Sequence, residues 1–178
     1  GEVDLAVLLG APRMRHDAAW GFGEIQRRGR GFEQVAAELA DACREVTDYA
    51  AGCGVETMTE NHGTFCQDSA RVERLINLVQ RDNFGALCDI GNFLCADEDP
   101  AQACGRIAPY VKYVHCKDFH VRRGEEDNPG EGYFRSRGGN FLRGAILGHG
   151  NVPVRRCLRA LRDQGYDGWV GIEFEGME

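Results

Sequence analysis

The sequence predicts an α/β fold in which a parallel sheet is covered by helices. Three observations predict it. Short apolar runs alternate with amphipathic helical segments, the rhythm of β/α units. The apolar runs read as buried strands, strand 55–60 being the one that alternates. Four of them end on a carboxylate or an imidazole, at intervals that match the length of β/α units.

Each element has its own signature. Leu5 to Leu9 form a short apolar run closed by Gly10 and Pro12, which reads as a buried first strand. A Gly- and Arg-rich stretch follows from Arg13 to Gly31. Val35, Leu39, Cys43, Val46, Tyr49 and Cys53 then recur at three- and four-residue intervals, a helix that Gly54 stops. A strand over 55–60 comes next, then a helix with Val72, Leu75, Ile76 and Val79 on one face. "GALCDIGN" is a strand ending at Asp89, and Asp99-Pro100 is the cap and first turn of a helix that Pro109 ends. "YVKYVHCKD" gives a strand through His115, followed by a long polar loop over 119–143. "GAILGHGN" reads as a short strand over 145–148, and Asn151 and Pro153 open a helix bearing Val154, Cys157, Leu158 and Leu161. "GWVGIEFEG" is the last strand.

Composition narrows the function classes. A chain of 178 residues reads as one domain, 1–178, large enough to bury a real core. The formal net charge of −7 excludes a nucleic-acid surface, which needs clustered positive charge. No run approaches the ~18 apolar residues of a membrane span, and no charged-then-apolar leader opens the chain. The 8 cysteines contain no C-x-x-C pair, so they read as free thiols of a reducing cytoplasm rather than a disulfide or zinc framework.

The strand ends carry the chemistry. Strand 55–60 finishes at Glu60, the next at Asp89, the next at His115 and the last at Glu173, with gaps of 29, 26 and 58 residues. The first two gaps are single β/α units and the third a double one, with strand 145–148 between. All four side chains then fall on the carboxyl edge of one parallel sheet, where α/β folds place their sites. Three carboxylates and one imidazole suit one divalent ion: Mn²⁺, Mg²⁺, Co²⁺ or Zn²⁺. Cys88 and Cys116 neighbour two ligands, but alternation turns them to the helix side. The same alternation aims Lys117 inward beside His115 and returns His62 toward the site after Glu60. Lys117, His62 and Asn92 are candidate substrate contacts, His62 being equally readable as a surface-loop histidine. Asp118 either fixes Lys117, binds substrate or holds a second metal.

The stretches "ENHG", "CDIGN", "APYVKYVHCKD", "LGHGNVPV" and "GYDGWVGIEFEG" resemble the xylose isomerase-like TIM-barrel superfamily of sugar phosphate isomerases and epimerases. The resemblance implies a (β/α) TIM-type barrel and a metal set of Glu60, Asp89, His115 and Glu173. It also implies that Glu60 and Glu173 act as general base and acid, removing and returning a proton next to a carbonyl of a small carbohydrate through an enediolate. A full (β/α)₈ domain takes about 250 residues, so the chain is expected to hold about six β/α units and to lack the first two. Such an incomplete barrel is expected to need a homo-oligomeric partner or its missing N-terminal segment. Two further readings stay open: an inosose dehydratase-type lyase on the same metal, and a truncated metal-binding domain without turnover. The Arg-rich loop with Arg122, Arg123, Arg135, Arg137 and Arg143 reads as a lid, a substrate clamp or a solvated loop. "GHGN" reads as a phosphate cradle or a tight turn.

Overall fold

The computed structural model describes residues 1–19, 21, 29–63 and 65–176. The Arg13–Gly31 stretch lies partly outside these residues. The elements run α1 (Glu2–Leu8), β1 (Arg13–His16), α2 (Phe32–Gly52), β2 (Glu56–Glu60), α3 (Ser69–Val79), β3 (Phe84–Asp89), α4 (Pro100–Ile107), β4 (Val111–Cys116), β5 (Asp118–Arg122), β6 (Phe134–Arg135), β7 (Phe141–Ala145), α5 (Val154–Asp163) and β8 (Val170–Ile172). Five parallel strands in the order β1-β2-β3-β4-β8 form a curled half-barrel sheet, with helices on its outer face. Three antiparallel strands, in the order β5-β7-β6, form a second small sheet. Among the described residues no helix is long and apolar enough to cross a membrane.

The helices start and stop where capping chemistry dictates. Asp68 accepts the amide of Arg71 at the head of α3, and Asp99 accepts that of Gln102 at the head of α4, where Pro100 fills the first turn. Gly54, at φ +72°, turns the chain from α2 into β2. The buried side of α2 carries Val35, Ala36, Ala40 and Cys43. It shares one core with Val72, Leu75 and Val79 of α3 and with Ala86, Cys88, Val114 and Cys116 from the outer face of the sheet. Cys88 and Cys116 thus pack on the helix side, as alternation requires. All six residues of β3 are buried, as befits a central parallel strand.

Register decides what reaches the inner face. Between β3 and β4 the pairing shifts: Ala86 lies opposite Val111, but Leu87 lies opposite Tyr113. Lys112 is the extra residue. Without that irregularity Asp89 would lie level with Val114; with it, Asp89 lies level with His115. A shift of one residue exchanges the two faces of a strand, so the bulge is what puts the imidazole on the inner face. Gly85 makes it possible, because a Cβ there would come 2.5 Å from the Tyr110 carbonyl and 2.8 Å from Lys112 Cγ.

Four sequence expectations are corrected. Leu5–Leu9 is not a strand: residues 2–8 are helix α1, which buries Val3 and Ala6 and leaves Leu5, Leu8 and Leu9 exposed. The first strand is instead the charged segment Arg13–His16, paired with β2. No strand spans 145–148. β4 bonds directly to β8, so among the described residues the parallel sheet has five strands rather than six. The loop over 119–143 contains most of β5, all of β6 and part of β7, and two of its arginines are tied into the fold, Arg135 within the hairpin and Arg137 onto the head of α3. Arg135 donates to the carbonyls of Gly124 and Gly139 and stacks on Phe141, and Arg137 donates to Asp68.

Candidate metal centre

Glu60, Asp89, His115 and Glu173 offer ligand atoms that all lie within 4.8 Å of one another. β2, β3 and β4 each contribute their last or penultimate residue, and Glu173 follows β8 directly. His115 Nδ1 is 3.1 Å from Glu173 Oε2 and 3.8 Å from Glu60 Oε1. Glu60 and Asp89 are buried, whereas His115 and Glu173 are about a quarter and a third exposed (26% and 31%), so the cluster opens toward solvent on one side.

Neighbouring groups fix each ligand. Asp89 Oδ1 accepts the amides of Gly91 and Asn92, which leaves Oδ2 facing the cluster. The side chain of Asn61 clamps the end of β2 to β3, donating to the Asp89 carbonyl and accepting the Asp89 amide, both at 2.8 Å. This explains why Glu60 is followed by an amide: Asn61 turns away from the site and locks two ligand-bearing strands together. Asn92 Nδ2 donates to Glu60 Oε1 at 3.3 Å, while Arg15 on β1 holds Glu60 Oε2 at 2.7 Å. Gly171 leaves the space that Tyr113 and His115 occupy, since a Cβ there would lie 3.1 Å from the Tyr113 hydroxyl.

Lys117 is 1% exposed, with Nζ 3.4 Å from Asp89 Oδ2, 3.1 Å from Glu173 and 3.0 Å from Glu175. It also donates to Asn92 Oδ1 at 3.4 Å. Burial opposes its charge, but Asp89, Glu173 and Glu175 outweigh burial and hold the ammonium above its usual range. Burial pushes the Asp89 carboxyl up to about 7. The Glu60 carboxylate and Glu173 hold the His115 imidazole above its ordinary value. Burial pushes the Cys116 thiol up to about 11, which leaves it a packing residue rather than a thiolate ligand.

The donor set fits a divalent ion. Asp89 Oδ2, His115 Nδ1 and Glu173 Oε2 are buried atoms that satisfy no hydrogen bond, and all three belong to the cluster. Buried polar atoms are ordinarily hydrogen-bonded, whereas these three are matched only by ion-pair contacts with Lys117 and with one another, so a cation between them would satisfy all three. Three hard oxygens and one imidazole define that partner as a borderline or hard cation.

The other candidates fall in different places. His62 sits at the rim with Nδ1 3.2 Å from Arg15 Nη2 and 3.3 Å from Asp17 Oδ1. Asn92 and Lys117 join the cluster. Asp118 does not: its carboxylate accepts the amides of Phe119, Gly148, Gly150 and Val152, so Lys117 is fixed by other groups. The expected alternatives of Asp118 fixing Lys117 or reaching a second metal are corrected accordingly. One residue here escaped sequence reasoning: Glu175, which repeats the strand alternation two residues beyond Glu173. Arg15 was legible only as a residue after the first strand that could reach substrate, not as a partner of Glu60. Below the cluster, Pro12, Arg13, Arg15, Met58, Leu87, Tyr113 and Trp169 line a concavity of about 360 Å³ on the inner face of the sheet.

With this geometry in place, comparison with known proteins is informative. A family profile described as xylose isomerase-like TIM barrel matches residues 1–178. An inosose dehydratase of Lacticaseibacillus casei is 27% identical over 178 residues, covering 98% of this chain and 53% of its own. The chain therefore spans about half the length of that curated relative. Among solved structures, the IOLI protein with a bound zinc atom superposes with a TM-score of 0.75 at 17% identity, over 98% of this chain and 58% of that one. A D-allulose 3-epimerase from Methylomonas sp. gives a TM-score of 0.68 at 18% identity, over 97% of this chain and 53% of that one.

Proposed function

The chain belongs to the xylose isomerase-like TIM-barrel family, and from that premise we propose that it acts in a metal-dependent sugar isomerase or epimerase. The reaction is removal and return of a proton next to a carbonyl in a small carbohydrate. Glu60, Asp89, His115 and Glu173 hold one divalent ion, Mn²⁺, Mg²⁺, Co²⁺ or Zn²⁺. A divalent ion at that position supplies Lewis acidity, lowering the cost of negative charge on substrate oxygens. The carrying observation is the convergence of three hydrogen-bond-orphaned atoms, on Asp89, His115 and Glu173, beside Glu60.

The remaining chemistry falls to the chain's own side chains. Lys117 presents a desolvated ammonium at the cluster, suited to holding a substrate oxygen that gains charge. Glu173 reaches the open side and is the better placed of the two glutamates to accept the proton. Glu60 has Oε2 held by Arg15 and Oε1 near Asn92, which favour its ionised form; as the second member of the pair it must first take up, from solvent, the proton that it returns from the opposite side. His62 and Asn92 contact substrate hydroxyls at the rim. Asp118, with its carboxylate committed to four amides, is removed from the contact set. Free cysteines without a C-x-x-C pair support a reducing compartment, the cytoplasm, as the setting of this chemistry.

A second reading has its own support. The inosose dehydratase likeness over the whole chain favours proton removal followed by loss of water at the neighbouring carbon. Proton exchange in deuterium oxide, followed by NMR with Mn²⁺-replaced Mg²⁺ or Zn²⁺ protein and a panel of ketoses and cyclitol ketones, tests both. Exchange without net loss of water supports isomerase or epimerase chemistry, and accumulation of an unsaturated ketone supports the lyase. Stoichiometric metal with neither outcome across the panel leaves a metal-binding domain without turnover.

A further inference from the structure

Lys117 and the metal cluster draw on the same oxygens. Asp89 Oδ2 and Glu173 Oε2, two of the orphaned atoms of the cluster, lie 3.4 Å and 3.1 Å from Lys117 Nζ. A cation held by these two atoms takes over the charge that matches the buried ammonium, and it also repels that ammonium. One carboxylate stands outside this competition. Glu175 Oε2 is 3.0 Å from Lys117 Nζ, and Glu175 is not a member of the cluster. Asn92 Oδ1, at 3.4 Å, is uncharged, and the same amide group also serves Glu60. The chain delivers Glu175 by alternation and by a glycine. Cys116 lies level with Ile172 across the β4–β8 register, and the Glu173 amide donates to the Cys116 carbonyl, so the segment after β8 continues alongside Lys117. Two residues on, alternation returns Glu175 to the side of Glu173. Gly144 on β7 receives the backbone there: a Cβ on it would collide with the Glu175 carbonyl and lie 2.9 Å from the Gly176 nitrogen. Gly91 makes the matching space for Lys117, since a Cβ there would lie 2.7 Å from the Lys117 carbonyl oxygen. The small antiparallel sheet thus seats the segment that carries Glu175.

We propose that Glu175 is a positioning residue: it holds Lys117 in place while a divalent ion takes Asp89 and Glu173. Lys117 is 1% exposed, so with those two oxygens engaged its ammonium is matched by Glu175 or stands unpaired out of water. Glu175 is itself 54% exposed and stays charged at little cost. Without it the ammonium falls back on the ligand oxygens and competes with the ion. Two consequences follow. Metal affinity depends on Glu175 through Lys117, and a substrate oxygen at the cluster meets an ammonium that Glu175 has fixed. The second consequence rests on the carbohydrate reading above; the first does not.

A double-mutant cycle on Mn²⁺ affinity, measured by calorimetric titration of the metal-stripped chain, tests the first consequence. Glu175→Gln should weaken binding about tenfold, the low end for a group that orients a site from behind its ligands. In the Lys117→Met background the same substitution should change affinity by less than about twofold, the spread of uncoupled sites. Equal losses in both backgrounds mean that Glu175 acts on the ion by charge alone and overturn the proposal, as does no loss in either. Should Lys117→Met not fold, the ¹⁵Nζ ammonium resonance of Lys117 in the Mg²⁺-loaded chain decides. It should move or broaden in Glu175→Gln, and an unchanged resonance overturns the holding contact. For the second consequence, Mn²⁺-saturated Glu175→Gln should exchange the α-proton of whichever ketose the wild type turns over with kcat down about tenfold and KM within about twofold. An unchanged kcat overturns it. Absence of exchange by the wild type across ketoses and cyclitol ketones counts against the carbohydrate reading and leaves the affinity cycle to judge Glu175.

Discussion

Lys117→Met removes the only buried ammonium described beside the cluster while keeping a side chain of similar length. Lys117 and Asp89 are 1% and 0% exposed and 3.4 Å apart, so the variant leaves Asp89 buried without its counter-ion. Its carboxyl, already pushed up to about 7, rises further and must take up a proton or stay charged out of water. Breaking a buried pair from one side costs about 3–5 kcal/mol. Glu173 and Glu175 are also partners, but at 31% and 54% exposure their share is screened, which puts the expected loss near the lower bound, about 3 kcal/mol. Urea unfolding of the metal-stripped chain at pH 8 measures it. Metal must then rescue the variant. Removing a fixed positive charge next to the ligands relieves repulsion, so Mn²⁺ at about 100 times its Kd should restore about 2.7 kcal/mol. Its affinity should be no weaker than for the wild type, while proton exchange is lost. A stability loss under about 1 kcal/mol, or a variant that metal does not stabilise, would refute the reasoning.

Other outcomes follow from the same geometry. Arg15→Ala frees Glu60 Oε2 and loosens His62, and metal affinity should fall about 10- to 100-fold by calorimetric titration, as for other groups that orient a ligand. Gly85→Ala drives a methyl into the Tyr110 carbonyl at the β3–β4 bulge, which should cost about 1–3 kcal/mol in denaturant unfolding and weaken metal binding by displacing His115. Glu56 accepts Lys112 Nζ at 2.6 Å and Arg13 Nε at 2.7 Å; against the raising effect of burial, these bonds hold its carboxyl below the usual 4.5. Because the folded value is depressed, its contribution is full above the unfolded value and disappears as pH falls through the folded one. Glu56→Gln should therefore lower stability at pH 7 and flatten the acid limb of the unfolding curve below pH 4.5.

The site was more legible in the sequence than the strand order. Glu60, Asp89 and His115 stand at or next to the ends of strands spaced one β/α unit apart, so strand pattern and spacing place them at one edge. Leu5–Leu9 failed because an exposed apolar run on a short helix looks the same as a buried strand until burial is known. Arg13–His16 failed for the opposite reason. Its arginines are neutralised by Glu56 and Glu60 across the β1–β2 register, and a charged inner face reads as a loop until that register is seen. The hairpin β5–β7 did leave a trace in the apolar positions Phe119, Val121, Phe141 and Leu142, but charged neighbours masked the alternation. The spacing between His115 and Glu173 fitted a double unit by length, although that length is taken up by the antiparallel sheet and α5. Asp118 was beyond reach, because its partners are backbone amides thirty or more residues away.

One measurement bears most directly on the metal centre. Mn²⁺ titration of the metal-stripped chain, read by electron paramagnetic resonance, should find a single saturating site per chain. That site should be lost or greatly weakened in Asp89→Asn and His115→Ala while circular dichroism stays that of the wild type. Full-affinity, one-to-one binding that survives both substitutions would place the ion elsewhere and contradict the account.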